Sequence, residues 1–400
     1  MSAPRLFLIA GEPSGDLLGG ALLAGLRELC GPDLTLEGIG GSEMAAQGMP
    51  SLFPMEELSV MGIAEILPRA PNLLRRIRQT ADAVIVARPD ALITIDSPDF
   101  CLRVARKARA SLPDLRVIHY VAPSVWAWRP GRAAKMARHV DHVLALLPFE
   151  PPYMQAAGMT CDFVGHPVAA RPVATPDEIA AIRADLGIGA DQRLMLALPG
   201  SRRGEVSRHA PVFAEVIRRL RAGAPDLAVV VPAAGAVADL TRGLLPPDAD
   251  GWPRVLDPTG ADPALADARK RAIFATADAA LAASGTVSLE LAAAGTPMVI
   301  AYAANPFSAF LAKRLVRIDT VTLVNLVTDT RTIPEFLLEN CTPDLITPAL
   351  SALLDDPATA AAQRAAGSRA MDLLGRGADP PGLRAARSVL AHLGAGKPSA

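Results

Sequence analysis

Aromatic side chains are scarce, at 4% of the 400 residues. Cysteine is scarce too, and the four present, Cys30, Cys101, Cys161 and Cys341, stand far apart without paired spacing. That argues against a disulfide framework and against a thiolate metal site, and it suits a reducing compartment. Charge bias is missing: the formal net charge is -1, and no long basic run offers a surface to track phosphates, so nucleic acid is not an expected partner. Long apolar runs are missing as well. Leu6 to Ala10 is too short for the core of a signal peptide, and nothing later approaches an uninterrupted membrane span. The expected location is the cytoplasm, and the modest charged fraction of 20% leaves room for touching a membrane surface without crossing it.

What is present reads as α/β. The length suits two domains, and with half of the chain hydrophobic, two cores are within reach. Arg5 to Ala10 is a buried strand, followed by the glycine loop Gly11-Glu12-Pro13-Ser14-Gly15-Asp16 and a helix to Cys30. The loop can bring backbone close to a ligand, yet it lacks the Gly-x-Gly-x-x-Gly spacing, so a nicotinamide cofactor gains no support. Ala91 to Ile95 is a further strand and ends in Asp96-Ser97-Pro98-Asp99. Ser97 reads as an N-cap, Pro98 as the first helical residue and Asp99 as a first-turn acid. Capping does not require Asp96, which sits where open α/β sheets put their ligands. It can take a proton from an attacking hydroxyl, or be a hydrogen-bonded strand-end aspartate.

Two of the three tryptophans, Trp126 and Trp128, share the loop Ala122 to Arg132 beside arginines. Such a surface suits sugar rings, acyl chains, a domain interface or packing alone. Arg171 to Pro176 is a proline-bearing linker. Past it, the strand Leu194 to Leu198 runs into Pro199-Gly200-Ser201-Arg202-Arg203, where an arginine can meet a diphosphate; the pattern does not separate Arg202 from Arg203. Ala282 to Gly295 predicts strand, Ser284-Gly285-Thr286 turn and short helix, with Met298 to Tyr302 as the next strand. That turn offers backbone N–H groups and a helix N-terminus to phosphate, with Glu290 within reach of a ribose hydroxyl; the bland reading is a tight turn. Thr322 to Leu326 brings Asn325 toward the same edge. Asp248-Ala249-Asp250 mimics a paired-carboxylate metal motif but lies in a loop, so no metal is assigned. Leu52 to Arg78 and Phe307 to Arg317 combine apolar faces with basic flanks, which fits a lipid surface or ordinary core. No internal repeat at solenoid spacing is visible.

The motifs Gly11 to Asp16, Val60-Met61-Gly62, Ile95 to Phe100, His119 to Arg129, Leu147-Pro148-Phe149-Glu150, Leu198 to Arg202 and Ala283 to Thr286 stand in the order seen in lipid-A-disaccharide synthases, and the chain resembles that family from about Leu6 to about Leu393. The resemblance implies the GT-B fold: two Rossmann-like, doubly wound domains facing across a cleft, with a C-terminal helix returning to the first. The expected boundaries are 1–170, 177–355, crossing helices over 356–393 and a disordered tail over 394–400. It implies inverting transfer from UDP-2,3-diacylglucosamine to 2,3-diacylglucosamine 1-phosphate (lipid X), giving β-1,6 lipid A disaccharide 1-phosphate and UDP. Asp96 is then the base. Arg202 with Ser284, Gly285 and Thr286 meets the diphosphate, and Glu290 the ribose or uracil side. Glu12, Ser14, Asp16, Ser124, Trp126 and Asn325 lie on matching substrate motifs. No cofactor is implied, the site is peripheral on the cytoplasmic face of the inner membrane, and a homodimer is compatible with it. One departure is Ala122, where the family commonly has serine. A UDP-sugar 2-epimerase and a noncatalytic UDP-sugar-binding protein are the competing readings, ahead of a nicotinamide-dependent oxidoreductase.

Overall fold

The computed structural model describes residues 4–58, 63–129, 131–304 and 318–394, with side chains described from residue 70 onward in the helix over 63–87. Two compact units form, Met1–Ala170 with Gly377–Ala400, and Arg171–Arg376. The segments Val60-Met61-Gly62 and Phe307 to Arg317 lie outside the described residues, as does 395–400.

In the first unit, β1 (Arg5–Ala10), β2 (Thr35–Ile39), β3 (Ala91–Ile95), β4 (Arg116–Tyr120), β5 (His142–Ala145) and β6 (Thr160–Phe163) make one parallel sheet in the order β2-β1-β3-β4-β5-β6. All of Ala91–Ile95 is buried, which is why that strand is an unbroken apolar run rather than an alternating one. The winding direction reverses between β1 and β3, and open sheets of this kind leave a crevice beyond the carboxyl ends at such a point. Ala10 pairs with Ile95 and Ile95 with Tyr120, so the three strands end level. Gly11, Asp96 and Val121 therefore leave the sheet side by side.

Helix α1 (Pro13–Cys30) follows the glycine loop with proline in its first turn, α2 (Ile63–Ala87) precedes β3, and α3 (Pro98–Ser111) follows it. Around α2 the basic flank serves the fold in part. Arg76 forms an ion pair with Glu57 and lies over the Phe53 ring at 4.2 Å, while Leu74 is exposed.

The second unit repeats the plan with β7 (Leu194–Leu198), β8 (Ala228–Pro232), β9 (Arg254–Leu256), β10 (Ala279–Ala283), β11 (Met298–Tyr302) and β12 (Glu335–Leu337), in the order β12-β11-β10-β7-β8-β9. Here the reversal lies between β7 and β10, and Leu198 pairs with Ala282. Helix α4 (Arg203–Gly223) follows β7, α5 (Val287–Ala294) follows β10, and α6 (Leu323–Thr328) precedes β12. Asp248 and Asp250 clamp the buried Arg221 guanidinium at 2.6 and 2.8 Å, which is the task of that carboxylate pair.

The sequence grouped the helix after Asp356 with the crossing segment, but α7 (Pro357–Leu373) stays with the second unit. Its Gln363 accepts from the Met298 N–H at 2.7 Å, and Gly367 packs on Ala292. Only α8 (Pro381–Gly394) returns to the first unit. It crosses α1 backbone to backbone: a Cβ on Gly25 would come within 2.8 Å of the Gly382 carbonyl, so any side chain there would force the helices apart. A polar string completes the seam, with His142 Nε2 2.8 Å from Ser388 Oγ and the Ser388 hydroxyl donating to Asp162 at 2.6 Å.

Candidate functional site

The level ends of β1, β3 and β4 gather the candidates of the first unit. Glu12 takes the N-cap position of α1 in extended backbone and is half-buried. Ser14 is exposed in the first turn. Asp96 and Ser97 have φ of +52° and +41°, and the β-branched Val121 has +81°. Left-handed backbone costs free energy at residues with a Cβ, most at a branched one, and persists where surrounding structure enforces it, characteristically at functional sites. Ser97 occupies the N-cap position of α3, as the sequence predicts, but in left-handed backbone and without a capping hydrogen bond. Its hydroxyl faces the glycine loop instead: a Cβ on Gly11 would stand 2.6 Å from Ser97 Oγ. The Asp96 backbone N–H donates to the Tyr120 carbonyl at 3.0 Å, while its half-buried carboxylate has no hydrogen-bond or ion-pair partner among the described residues. Its charge, after burial, helps push the neighbouring Cys101 thiol up.

Asp16 has a different task from the one expected of it. It is buried and accepts from the N–H groups of Gly41, Glu43 and Met44 at 2.7, 2.9 and 3.1 Å, so both carboxylate oxygens hold the loop after β2. A group in that position shapes the edge.

Ser124 and Trp128 are exposed on the tryptophan loop, and Arg129 stacks over Trp128 at 4.3 Å. Trp126 is half-buried: its ring meets Phe149 edge-on at 5.2 Å and its indole N–H donates to Glu150 at 3.3 Å. His119, on β4, is buried against the Thr94 hydroxyl at 2.7 Å; burial first, then the Arg132 charge, draws its pKa down to about 4. It is a neutral core histidine.

In the second unit Gly200, at φ +125°, turns the chain beyond β7, and a Cβ there would clash with Glu205 at 2.6 Å. Arg202 is the N-cap residue of α4, exposed, with a guanidinium N–H donating to Glu205 at 3.2 Å. Arg203 is the first helical residue and also exposed. Beyond the adjacent β10, Ser284 is half-buried and Gly285 and Thr286 are exposed, ahead of α5. The first turn of a helix leaves N–H groups without intrahelical partners, and two such turns stand on neighbouring strands here. Glu290 sits in the first turn of α5 with its carboxylate taken by Arg171 at 3.1 Å and Lys270 at 2.6 Å.

Asn325 is not at this edge's surface. It is fully buried, with its amide donating to Thr320 Oγ1 and the Ile333 carbonyl at 3.2 and 2.9 Å, and its oxygen accepting from the Ile333 N–H at 3.0 Å. Every hydrogen-bonding group of the side chain is spent on the 320–333 loop, so it positions that loop.

Three residues with evident roles escaped the sequence reading. His209 accepts the Ala303 N–H at Nε2, 2.9 Å away, which puts its proton on Nδ1, donating to the Pro199 carbonyl at 2.8 Å. This neutral imidazole, its pKa lowered by burial, ties the Arg202 loop to the end of β11. Arg171, read as linker, holds Glu290. Glu150, quoted within a motif, received no role. A lone histidine inside an amphipathic helix carries no sequence signal for such a bridge; for Glu150, an acid flanked by Phe149 and an apolar strand was the available clue.

A family model described as lipid-A-disaccharide synthetase matches residues 6–378. The chain is 60% identical over 389 residues to a protein named lipid-A-disaccharide synthase from Ruegeria pomeroyi, covering 97% of this chain and 95% of that one. It is 47% identical over 385 residues to one of the same name from Rhodospirillum centenum, covering 96% and 94%. Among solved structures, the UDP-GlcNAc 2-epimerase from Neisseria meningitidis bound to UDP-GlcNAc superposes with a TM-score of 0.63 at 12% identity, covering 97% of this chain and 99% of that one. At that identity the likeness is one of fold, and the fold is the GT-B-like pairing of two doubly wound α/β domains.

Proposed function

The chain belongs to the lipid-A-disaccharide synthetase family, and from that premise we propose that it is an inverting glycosyltransferase that joins UDP-2,3-diacylglucosamine to 2,3-diacylglucosamine 1-phosphate, releasing UDP and the β-1,6 disaccharide 1-phosphate. The 6-hydroxyl oxygen of the acceptor attacks the anomeric carbon of the donor. Its proton passes to Asp96, the bond from that carbon to the diphosphate oxygen breaks, and the electron pair leaves on UDP. Arg202 and the Ser284–Thr286 turn hold the developing charge on the diphosphate, and Glu290 exchanges part of its ion pairing for the ribose. Glu12, Ser14, Ser124 and Trp126 border the acceptor, while Asp16 and Asn325 act through the loops they hold. No described helix is long and apolar enough to cross a membrane. Both substrates carry acyl chains, so the protein works at the cytoplasmic face of the inner membrane, with the exposed Leu74 beside Arg75 and Arg78 as one contact.

The observation that carries the reading is Asp96, a carboxylate without hydrogen-bond or ion-pair partner among the described residues, on left-handed backbone at the reversal of the first sheet. The test is a product assay in mixed micelles containing both lipids and a chelator. Formation of disaccharide and UDP supports the transferase. Conversion of the donor's sugar at C2 without disaccharide would indicate an epimerase, and tight UDP-sugar binding with no product would indicate a binding protein.

A further inference from the structure

Glu150 stands apart among the buried carboxylates of the first unit. Asp16 closes a loop with three backbone donors, but Glu150, 4% exposed, accepts from the Leu147 N–H at 3.0 Å and from a single side chain, the Trp126 indole at 3.3 Å. No ion pair involves it among the described residues. Phe149, one residue earlier, packs edge-on against the same indole. The Leu147–Glu150 turn thus grips one ring twice, by an aromatic edge and by a carboxylate. Trp128, two residues away, has neither hold and lies 38% exposed.

A carboxylate buried without a cation is a poor choice for fold stability alone, because an apolar side chain or an amide avoids the cost of desolvating charge. Retaining one makes sense where the N–H groups of Leu146, Leu147 and the Trp126 indole must be held by a group that only accepts. The loop it holds has need of that. It opens at Val121 on left-handed backbone and reaches Arg129, again at positive φ of +51°.

We propose that Glu150 is a positioning residue for acceptor binding: it fixes the Trp126 indole and thereby the Ser124-to-Arg129 rim against which the acceptor sugar rests. The placement of the acceptor on this rim rests on the transferase reading above; the link from Glu150 to Trp126 does not. Burial pushes the Glu150 carboxyl up to about 7, so the acceptor-only ionised form gives way to a protonated one near neutrality. The titratable neighbour that feels its charge is Cys161 on β6, pushed to about 12 mainly by its own burial; no charged side chain contributes to the Glu150 shift.

Two measurements on the full chain test this. Tryptophan emission, titrated through pH 7, is expected to show a transition near that pH, absent in Glu150→Gln and in Trp126→Phe and kept in Trp128→Phe. In mixed micelles above that pH, Glu150→Gln is expected to weaken binding of the diacylglucosamine phosphate about tenfold while kcat and donor binding change by less than about threefold. Trp126→Phe, which keeps an aromatic ring facing Phe149 but removes the indole N–H together with part of the ring system, should weaken acceptor binding at least as much. A flat titration of the parent overturns the proposal and leaves the transferase reading standing, as does parental acceptor affinity in both variants. A parent that titrates but binds no diacylglucosamine phosphate overturns the transferase reading and, with it, the acceptor role of the rim.

Discussion

Beyond β3 and β4 the backbone is left-handed at residues that carry side chains, Asp96, Ser97 and Val121, whereas beyond β7 the turn falls on Gly200, where positive φ costs little. The side chains differ in the same sense. Asp96 has no hydrogen-bond or ion-pair partner among the described residues, while Arg202 is tied to Glu205 and Glu290 to Arg171 and Lys270. One edge holds a carboxylate on strained backbone, the placement the proposed base requires; the other presents backbone donors and cations from a relaxed frame. The first pattern suits bond making, which needs a single atom in one place, and the second suits holding a diphosphate, which several donors can share.

If that contrast is sound, substitutions should separate by edge. The largest effect is expected for Asp96→Ala, about a thousandfold in kcat with donor binding within about threefold, read by radiolabelled disaccharide and by donor titration. Arg202→Ala should cost about a hundredfold in kcat, and Arg203→Ala no more than about threefold; equal losses would show that the helix N-terminus draws on both. Asp16→Ala and Asn325→Ala should each lower stability by about 1–3 kcal/mol in urea melts while activity per folded molecule is largely kept, because both hold loops rather than ligands. A loss of activity in a fully folded Asn325→Ala protein would return that residue to the site.

The last effect is on the pH dependence of stability. The folded-state pKa of Glu150, about 7, lies above the usual 4.5, so its contribution is fully present below 4.5 and is lost as pH rises through 7. Relative to Glu150→Gln, the parent should lose stability of about 3 kcal/mol across that window, measured as the difference in urea unfolding free energy.

Legibility in the sequence follows the range of the interaction. Strands with both faces covered advertise themselves as apolar runs, and glycine turns mark their ends, so the central strands β1, β3, β7, β10 and β11 and the loops beyond β1, β3, β7 and β10 could be read from local pattern, whereas the short or partly exposed edge strands β2, β9 and β12 could not. Asp96 stood out because no local rule used it. Arg202 and Arg203 were inseparable to residue-by-residue reading, since only the path of the chain makes one the N-cap residue and the other the first of α4. Asp16 and Asn325 could not be read at all: a polar residue on a helix looks the same whether it faces a ligand or a neighbouring loop, and the deciding partners, Gly41 to Met44 and Ile333, are set by tertiary packing. Ser97 shows the same limit at closer range. Its position at the helix start was evident, but its left-handed backbone and its contact with the Gly11 loop were not.

The most direct test of the strained edge is Asp96→Asn. Asparagine tolerates left-handed backbone and keeps the shape of the side chain, so the turn at φ +52° should persist while the group can no longer take a proton. With UDP-diacylglucosamine pre-bound, a single turnover started by adding diacylglucosamine 1-phosphate is predicted to be as slow in Asp96→Asn as in Asp96→Ala. A rate near that of the parent would contradict the account, leaving Asp96 a residue of geometry and placing the base elsewhere.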